Sequence, residues 1–302
     1  MAQPQPCLPA LASAHALLRA CPLAPKEARA LLAHALEVPA ERLIAHPESR
    51  VDQRAQEAFS HLVSERQRGT PMAYLLGVQE FYGHRVRVTP EVLIPRPDTE
   101  LLVETALHLL RGRAGMRVLD LGTGSGCIGI ALALARPDLW IVACDRSPAA
   151  LRVAQENCGR LGVSLQLVAA QWYAPMRGHF DLIISNPPYI AAGDRHLADL
   201  SFEPRAALTD EADGLTALRT IIAGAGERLS RGGQLLVEHG YDQGPAVRAM
   251  MLEYGFAQAT TLRDLAGQER ACLGARRGAS RGAAALASSR VAEPMRAREG
   301  PD

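Results

Sequence analysis

Apolar residues between 8 and 68 recur at helical spacing. Ala28, Leu31, Leu32, Ala35 and Leu36 stand at i, i+3, i+4, i+7 and i+8, one face of a helix. Pro25 ahead of Lys26 and Glu27 is a favourable helix start. A further run from about Val51 puts Ala55, Phe59, Leu62 and Val63 on one side. No strand pattern interrupts this region, so residues 1–70 are expected to form a small helical bundle. As a function for it, a stabilising cap and a module that docks a partner fit equally, and docking is the expectation carried forward.

The pattern then changes. Phe81-Tyr82-Gly83-His84-Arg85-Val86-Arg87-Val88 has a glycine turn signal followed by alternation, which predicts a short β-hairpin. Pro95 and Pro97 force extended backbone in the linker that completes residues 71–97. Asp98 or Thr99 then offers an N-cap for a helix carrying Leu101, Leu102, Val103 and Leu109. From Met116 to Arg276 short apolar runs alternate with helical segments: Val118-Leu119, Ile141-Val142-Ala143, 165–168, Leu182-Ile183-Ile184 and Leu235-Leu236-Val237, with helices near 126–135, 148–161 and 214–229. Such alternation predicts a doubly wound, mostly parallel sheet with helices on both faces. A helix near 245–254 and strands near 256–262 and 270–275 complete a domain at 98–276. Residues 277–302 hold seven Ala and five Arg, with only Leu286, Val291 and Met295 as large apolar side chains, the composition of a disordered tail.

Composition narrows the class. With 33 Lys and Arg against 32 Asp and Glu, the net charge of +1 opposes a broad basic surface for nucleic acid. Cys7, Cys21, Cys127, Cys144, Cys158 and Cys272 show no metal-type spacing and read as reduced, mostly buried thiols. No charged n-region precedes Arg19, and the uncharged run 121–135 is too short to span a bilayer. A soluble, cytoplasmic protein without a metal centre is expected.

The first chemical signal is the loop Asp120-Leu121-Gly122-Thr123-Gly124-Ser125-Gly126, between a strand and a helix. Open α/β sheets bind ligands at the carboxyl ends of their strands, and glycines there let backbone approach a ligand. Asp145 ends the next strand, 23 residues after Gly122, where a carboxylate can accept both hydroxyls of a ribose. An adenosine-containing cofactor follows. Gly124-Ser125-Gly126-Cys127-Ile128-Gly129 also satisfies a dinucleotide fingerprint, so this loop alone leaves a nicotinamide dinucleotide open. The register with Asp120 two residues ahead of the first glycine suits S-adenosylmethionine, whose ammonium needs an acceptor.

Asn186-Pro187-Pro188-Tyr189 decides between them. It leaves the buried strand 180–185 at the same sheet edge. Two prolines remove two N–H donors and stiffen the backbone. Their carbonyls and the Asn186 oxygen form a fixed set of acceptors, and Tyr189 supplies a flat face. A planar NH2 group is a poor nucleophile because its lone pair is delocalised. Acceptors on both N–H hydrogens orient it and stabilise the charge it gains as a methyl group arrives.

These two motifs resemble the hallmarks of class I amino-group methyltransferases. Leu93-Ile94-Pro95-Arg96-Pro97-Asp98-Thr99-Glu100 is similar to the linker signature of the bacterial release factor glutamine methyltransferases, the HemK/PrmC family. Pro71-Met72-Ala73-Tyr74-Leu75-Leu76-Gly77 and Glu203-Pro204-Arg205-Ala206-Ala207-Leu208 fit as well, and the resemblance spans residues 8–276. It implies a Rossmann-like class I methyltransferase fold with a small N-terminal helical domain. It implies that Asp120, Gly122, Thr123, Gly124, Ser125, Gly126, Asp145, Trp172 and Asn186 hold S-adenosylmethionine. Trp172 would lie by the adenine, and Gln171 replaces the acid usual before it. Asn186, Pro187, Pro188 and Tyr189 would hold the substrate, the glutamine of the Gly-Gly-Gln loop of class 1 peptide chain release factors, with Asn186, Pro187 and Tyr189 at the reaction. Rival substrates are a ribosomal-protein glutamine and an adenine of DNA. Residues 1–70, with 8 basic and 7 acidic residues, are a poor footprint for DNA. Glu238-His239 is a tempting acid–histidine pair but reads as a loop at the sheet edge.

Overall fold

The computed structural model describes residues 12–276; Cys7 and the tail at 277–302 lie outside them. The chain divides into two compact units. One runs up to Gln79 and takes in Val88–Pro90; the other comprises Glu80–Arg87 and everything from Glu91 onward.

The first unit is helical: α1 (Ala14–Ala20), α2 (Pro25–Ala35), α3 (Ala40–Ala45), α4 (Gln53–Gln67) and α5 (Met72–Leu76). The Ser13 and Asp52 side chains cap α1 and α4, each accepting from a backbone N–H three residues on. Ala28, Leu31 and Leu32 of α2 bury against Ala55 and Phe59 of α4 in one cluster, as the periodicity implies. Arg66 of α4 donates to Glu27 of α2 at 2.7 Å. A two-stranded hairpin, β1 (Val78–Phe81) and β2 (His84–Arg87), follows, turning at Tyr82 and Gly83.

In the second unit, α6 (Glu100–Leu109) precedes a seven-stranded sheet built from β3 (Arg117–Leu121), β4 (Trp140–Asp145), β5 (Gln166–Ala169), β6 (Phe180–Ser185), β7 (Leu229–Glu238), β8 (Phe256–Arg263) and β9 (Glu269–Arg276). The strand order is β5-β4-β3-β6-β7-β9-β8. Strands β3 to β7 run parallel, whereas β9 is antiparallel to both β7 and β8. The two late strands therefore close the sheet as an antiparallel edge pair. Helices α7 (Cys127–Ala135), α8 (Pro148–Leu161), α9 (Arg205–Leu208), α10 (Thr216–Arg228) and α11 (Gly244–Glu253) complete the unit.

Alternation along β3 sends Val118 to one core and Leu119 and Leu121 to the other. Helices α6 and α7 cover the first face, α10 and α11 the second. The chain steps outward from β3 to β5 and returns to β6 on the other side of β3. That reversal leaves a crevice between the carboxyl ends of β3 and β6, where such sheets bind ligands. Leu121 pairs with Ser185 as the last residue of each strand. The Ser185 hydroxyl donates to the Leu121 carbonyl at 2.7 Å. The glycine loop and the Asn-Pro-Pro-Tyr segment thus leave neighbouring strands at one level.

One local expectation is corrected. Thr99 stands at the N-cap position of α6, but its side chain makes no capping hydrogen bond. Pro97, whose ring presets a helical φ and lacks an N–H, starts a 3-10 turn over Pro97–Thr99, so Asp98 and Thr99 already lie inside helical backbone. Their side chains are released for long-range contacts.

Candidate active site

The crevice opens into a cavity of about 220 Å3 lined on one side by Gly122, Thr123, Gly124, Asp145 and Trp172, and on the other by Asn186 and Pro188. In the loop, Gly122, Gly124 and Gly126 take φ of 71°, 56° and 83°, a left-handed path that side chains resist. A Cβ on Gly126 would also come within 3.2 Å of the Ala154 Cβ. The Asp145 carboxylate holds the loop in place. One oxygen accepts from the Gly124 N–H and the other from the Ser147 N–H, both at 2.9 Å.

Ser125 joins the cavity wall. Asp120 and Gly126, expected to touch the cofactor, are not among the lining residues. Gly126 is taken up as the N-cap of α7. Asp120 is 1% exposed beneath the loop, where its Oδ2 accepts from the Thr123 hydroxyl at 2.6 Å. Burial pushes its carboxyl up to about 6, while the Thr123 hydroxyl and the Gly129 N–H hold it down. Its Oδ1 has no hydrogen-bond partner among the described residues. Trp172 has the left-handed φ of 54°, a conformation rare for a bulky residue, and its ring sits 3.7 Å from where a Gly122 Cβ would stand.

Asn186 is placed by Thr99. Its Nδ2 donates to the Thr99 hydroxyl at 3.0 Å, and its Oδ1 accepts no protein hydrogen bond among the described residues. The Tyr189 hydroxyl donates to Glu238 Oε1 at 3.0 Å, and the Tyr189 carbonyl accepts from Gln243 Nε2 at 2.9 Å. A second cavity, of about 240 Å3, lies against Pro187, Tyr189, Ile190, Leu200 and Arg96. Leu93, Asn186 and Ala207 line both cavities, so Asn186 stands where they adjoin.

The linker signature has a structural reason. Glu203, buried in the loop after β6, accepts from the Ile94 N–H at 3.0 Å and pairs with the Arg96 guanidinium. This ties 94–96 to the loop whose Pro204, Ala206 and Ala207 line the first cavity. Arg205 instead faces outward to Glu211.

Glu238 and His239 do not form a dyad. The His239 ring meets the Gly240 carbonyl and the Cys272 thiol, whereas Glu238 receives Tyr189. Glu238 is also not in an edge loop: it ends the interior strand β7, 1% exposed. Cys127 is buried and its thiol is pushed up to about 12 by burial, which leaves it un-ionised. Sequence reasoning missed Thr99, Gln243 and Glu238 as site residues. The legible signal for Glu238 was an acid closing the apolar strand Leu235-Leu236-Val237, a place where a carboxylate is costly. Among the described residues no cluster of His, Cys, Asp and Glu is placed to hold a metal ion, and no helix is long and apolar enough to cross a membrane.

A mostly parallel sheet reversing at β3, a glycine loop locked by an acid on the next strand, and an Asn-Pro-Pro-Tyr segment beside it define a class I methyltransferase, the class that uses S-adenosylmethionine. A solved T. thermophilus 16S rRNA methyltransferase, RsmC, in complex with AdoMet and guanosine, shares the fold. It is 20% identical with a TM-score of 0.51, over 66% of this chain and 50% of that one. The Methyltransferase small domain matches residues 97–201, and the PrmC N-terminal domain matches residues 9–77. The release factor glutamine methyltransferase of Bordetella pertussis is 53% identical over 81% of this chain and 92% of its own length. That of Burkholderia pseudomallei is 49% identical over 87% and 96%. The chain belongs to the release factor glutamine methyltransferase family.

Proposed function

We propose that this protein transfers a methyl group from S-adenosylmethionine to the side-chain amide nitrogen of the glutamine in the Gly-Gly-Gln loop of class 1 peptide chain release factors. The observation that carries the reading is Asn186: its amide is pinned by Thr99 through Nδ2, with Oδ1 left to accept, at the place where the two cavities adjoin.

The residues present fit the cofactor. The cavity carries a fixed carboxylate at Asp145 for a diol, an aromatic face at Trp172, and glycine backbone that admits close approach. Gly122, Thr123, Gly124, Ser125, Asp145 and Trp172 would hold it, with Asp120 and Gly126 shaping the loop from beneath. When bound, S-adenosylmethionine supplies a methyl group on a positively charged sulfur. The protein's share is positioning and electrostatics. Asn186 Oδ1 accepts one hydrogen of the substrate amide, and a carbonyl in the Pro187 region accepts the other. This directs the nitrogen lone pair toward the cofactor cavity and stabilises the charge developing on nitrogen. Tyr189 and Pro188 provide the surface against which the amide plane rests. A proton leaves the nitrogen after transfer, and no strong base is required for the attack.

The near-zero net charge supports a protein acceptor over DNA. Docking of the release factor by the helical unit, and a cytoplasmic setting in which the five described, free cysteines stay reduced, belong to the same proposal. The test is incubation with labelled S-adenosylmethionine and, in parallel, a release factor, ribosomal proteins and adenine-containing DNA. Mass spectrometry should place the methyl group on the Gly-Gly-Gln glutamine. Label confined to ribosomal protein or DNA would refute the substrate assignment.

A further inference from the structure

The side chain of Gln243 ties three loops together. Gln243 stands at the N-cap position of α11 and yet makes no capping hydrogen bond. The side chains that fold back onto a helix start are the short ones of Ser, Thr, Asp and Asn; the longer Gln243 amide reaches elsewhere. Its Nε2 donates to the Tyr189 carbonyl at 2.9 Å and to the Gly214 carbonyl at 3.3 Å, and its Oε1 accepts from the Gly240 N–H at 2.8 Å. A primary amide carries two N–H hydrogens and one carbonyl oxygen. Both hydrogens and the oxygen are engaged, so the amide fits one way round only. Flipped, its oxygen would face two carbonyl oxygens and its NH2 would face the Gly240 N–H. Gly214 makes room for this junction. Its φ of 77° is left-handed, and a Cβ there would collide with the Tyr189 carbonyl oxygen and stand 3.0 Å from Gln243 Nε2.

Tyr189 is the last residue of the Asn-Pro-Pro-Tyr segment. The near end of that segment is fixed by β6, whose Ser185 hydroxyl donates to the Leu121 carbonyl at 2.7 Å. Between the ends lie Pro187 and Pro188, whose rings lock φ and remove two N–H groups, so a displacement at Tyr189 is passed along the segment rather than absorbed. Beyond it, the Ile190 N–H donates to the Leu208 carbonyl and the Ala192 N–H to the Ala212 carbonyl, both at 3.0 Å, which holds the chain to the stretch that carries Gly214. Gln243 joins this whole assembly to Gly240, just past the end of β7. We propose that Gln243 is a positioning residue for methyl transfer: by holding the Tyr189 carbonyl beside Gly214, it fixes the far end of the Asn-Pro-Pro-Tyr segment and with it the surface on which the acceptor amide rests. This deepens the methyltransferase reading and rests on it.

The placement says where the effect falls. Gln243, Gly214 and Gly240 are not among the residues lining the cofactor cavity, so cofactor affinity does not depend on the Gln243 amide. Tyr189 lines the second cavity, beside Asn186 and Pro187, so loosening it disturbs the acceptor side alone. The effect is also partial. The Tyr189 hydroxyl has its own anchor in Glu238 Oε1 at 3.0 Å, and the Ile190 N–H keeps its bond to Leu208. Without Gln243 the segment is held less closely, and the reacting nitrogen spends less time in line with the methyl group.

The test uses the full chain, a release factor and saturating S-adenosylmethionine, with two variants. Gln243→Glu keeps the acceptor for the Gly240 N–H and loses both donated hydrogens; Gln243→Met keeps the length and loses all three bonds. In both, kcat should fall by roughly tenfold, less than the about 10²–10³ expected for a group in direct contact. Affinity for S-adenosylhomocysteine by calorimetry should stay within about twofold of wild type, and so should KM for the release factor. Gly214→Ala, which pushes on the Tyr189 carbonyl with Gln243 intact, should reproduce the loss of kcat and stands in for the Gln243 variants if they do not fold. A kcat within about twofold of wild type in the folded variants overturns the proposal. A loss confined to KM overturns it too, since Gln243 would then serve docking. So does a fall in kcat matched by an equal fall in cofactor affinity, which marks general damage to the fold. A wild-type chain that binds cofactor and leaves the release factor unmethylated overturns the functional reading, and the positioning role falls with it.

Discussion

The two halves of the crevice are assembled over very different distances along the chain. On the cofactor side, Thr123 reaches Asp120 three residues back, and Asp145 accepts from Gly124 across 21. On the acceptor side, Asn186 meets Thr99 across 87 residues, Tyr189 meets Glu238 across 49, and Arg96 meets Glu203 across 107. The first half is backbone geometry set by one strand–loop–helix and its neighbour. The second is a side-chain network that exists only once α6, β6, β7 and the loop after β6 are in place. A backbone-built half should lose affinity gradually as its contacts are removed. A network-built half should lose turnover abruptly, because misplacing one member misplaces the reacting nitrogen.

The sharpest way to break this contrast is Asn186→Ala. Methyl transfer should fall by about 10²–10³, with S-adenosylhomocysteine affinity by calorimetry nearly unchanged. Loss of cofactor binding with an unchanged rate per bound cofactor would place Asn186 in the other half. Asn186→Asp keeps an acceptor and discards the hydrogen that Thr99 accepts, so its rate should recover only part of the way from the alanine variant. On the cofactor side, Asp145→Ala removes an acceptor for the ligand together with the Gly124 N–H bond that holds the loop. With hydrogen bonds to charged groups worth roughly 1.5–3 kcal/mol, cofactor Kd should rise by about 10- to 100-fold, and kcat at saturating cofactor should survive.

A smaller effect separates the halves by pH. Asp120, raised to about 6 by burial, contributes stability that is present in full below the ordinary carboxylate range and lost as pH rises through about 6. Melting scans from pH 4.5 to 8 should show Asp120→Asn flattening the lower part of that decline; an unchanged slope would mean Asp120 is not the group responsible. The smallest change belongs to the surface of the acceptor loop. Arg205 and Glu211 form an exposed pair, so Arg205→Ala should leave stability almost unchanged, and a denaturation midpoint near wild type would bear that out.

Legibility in the sequence followed the same division. Helix α8 at Pro148–Leu161 and the strand positions from Val118 to Val237 were readable because the 3.6-residue and two-residue periods are local. The glycine loop and Asp145 were readable because their spacing is itself the signal. The antiparallel turn of β9, inserted between β7 and β8, left no mark that distinguishes it from another parallel strand. Thr99 was misread as a side-chain cap for a physical reason: a hydroxyl near a helix start ordinarily finds a backbone N–H, and Pro97 had already begun the helical backbone ahead of it.

The sequence by itself determined the helical and α/β patterns and marked the glycine loop and the Asn-Pro-Pro-Tyr segment, since each is a run of neighbouring residues whose chemistry is carried in order. Only the tertiary structure decided that Asp120 supports the loop from below rather than lining the cavity. It alone decided that Arg96 belongs to Glu203, that Asn186 meets Thr99, and that Tyr189 meets Glu238. Those partners are dozens of residues apart in the chain. The crossover from β5 to β6 and the end-on alignment of β3, β6 and β7 bring them to one edge, and no local period encodes that.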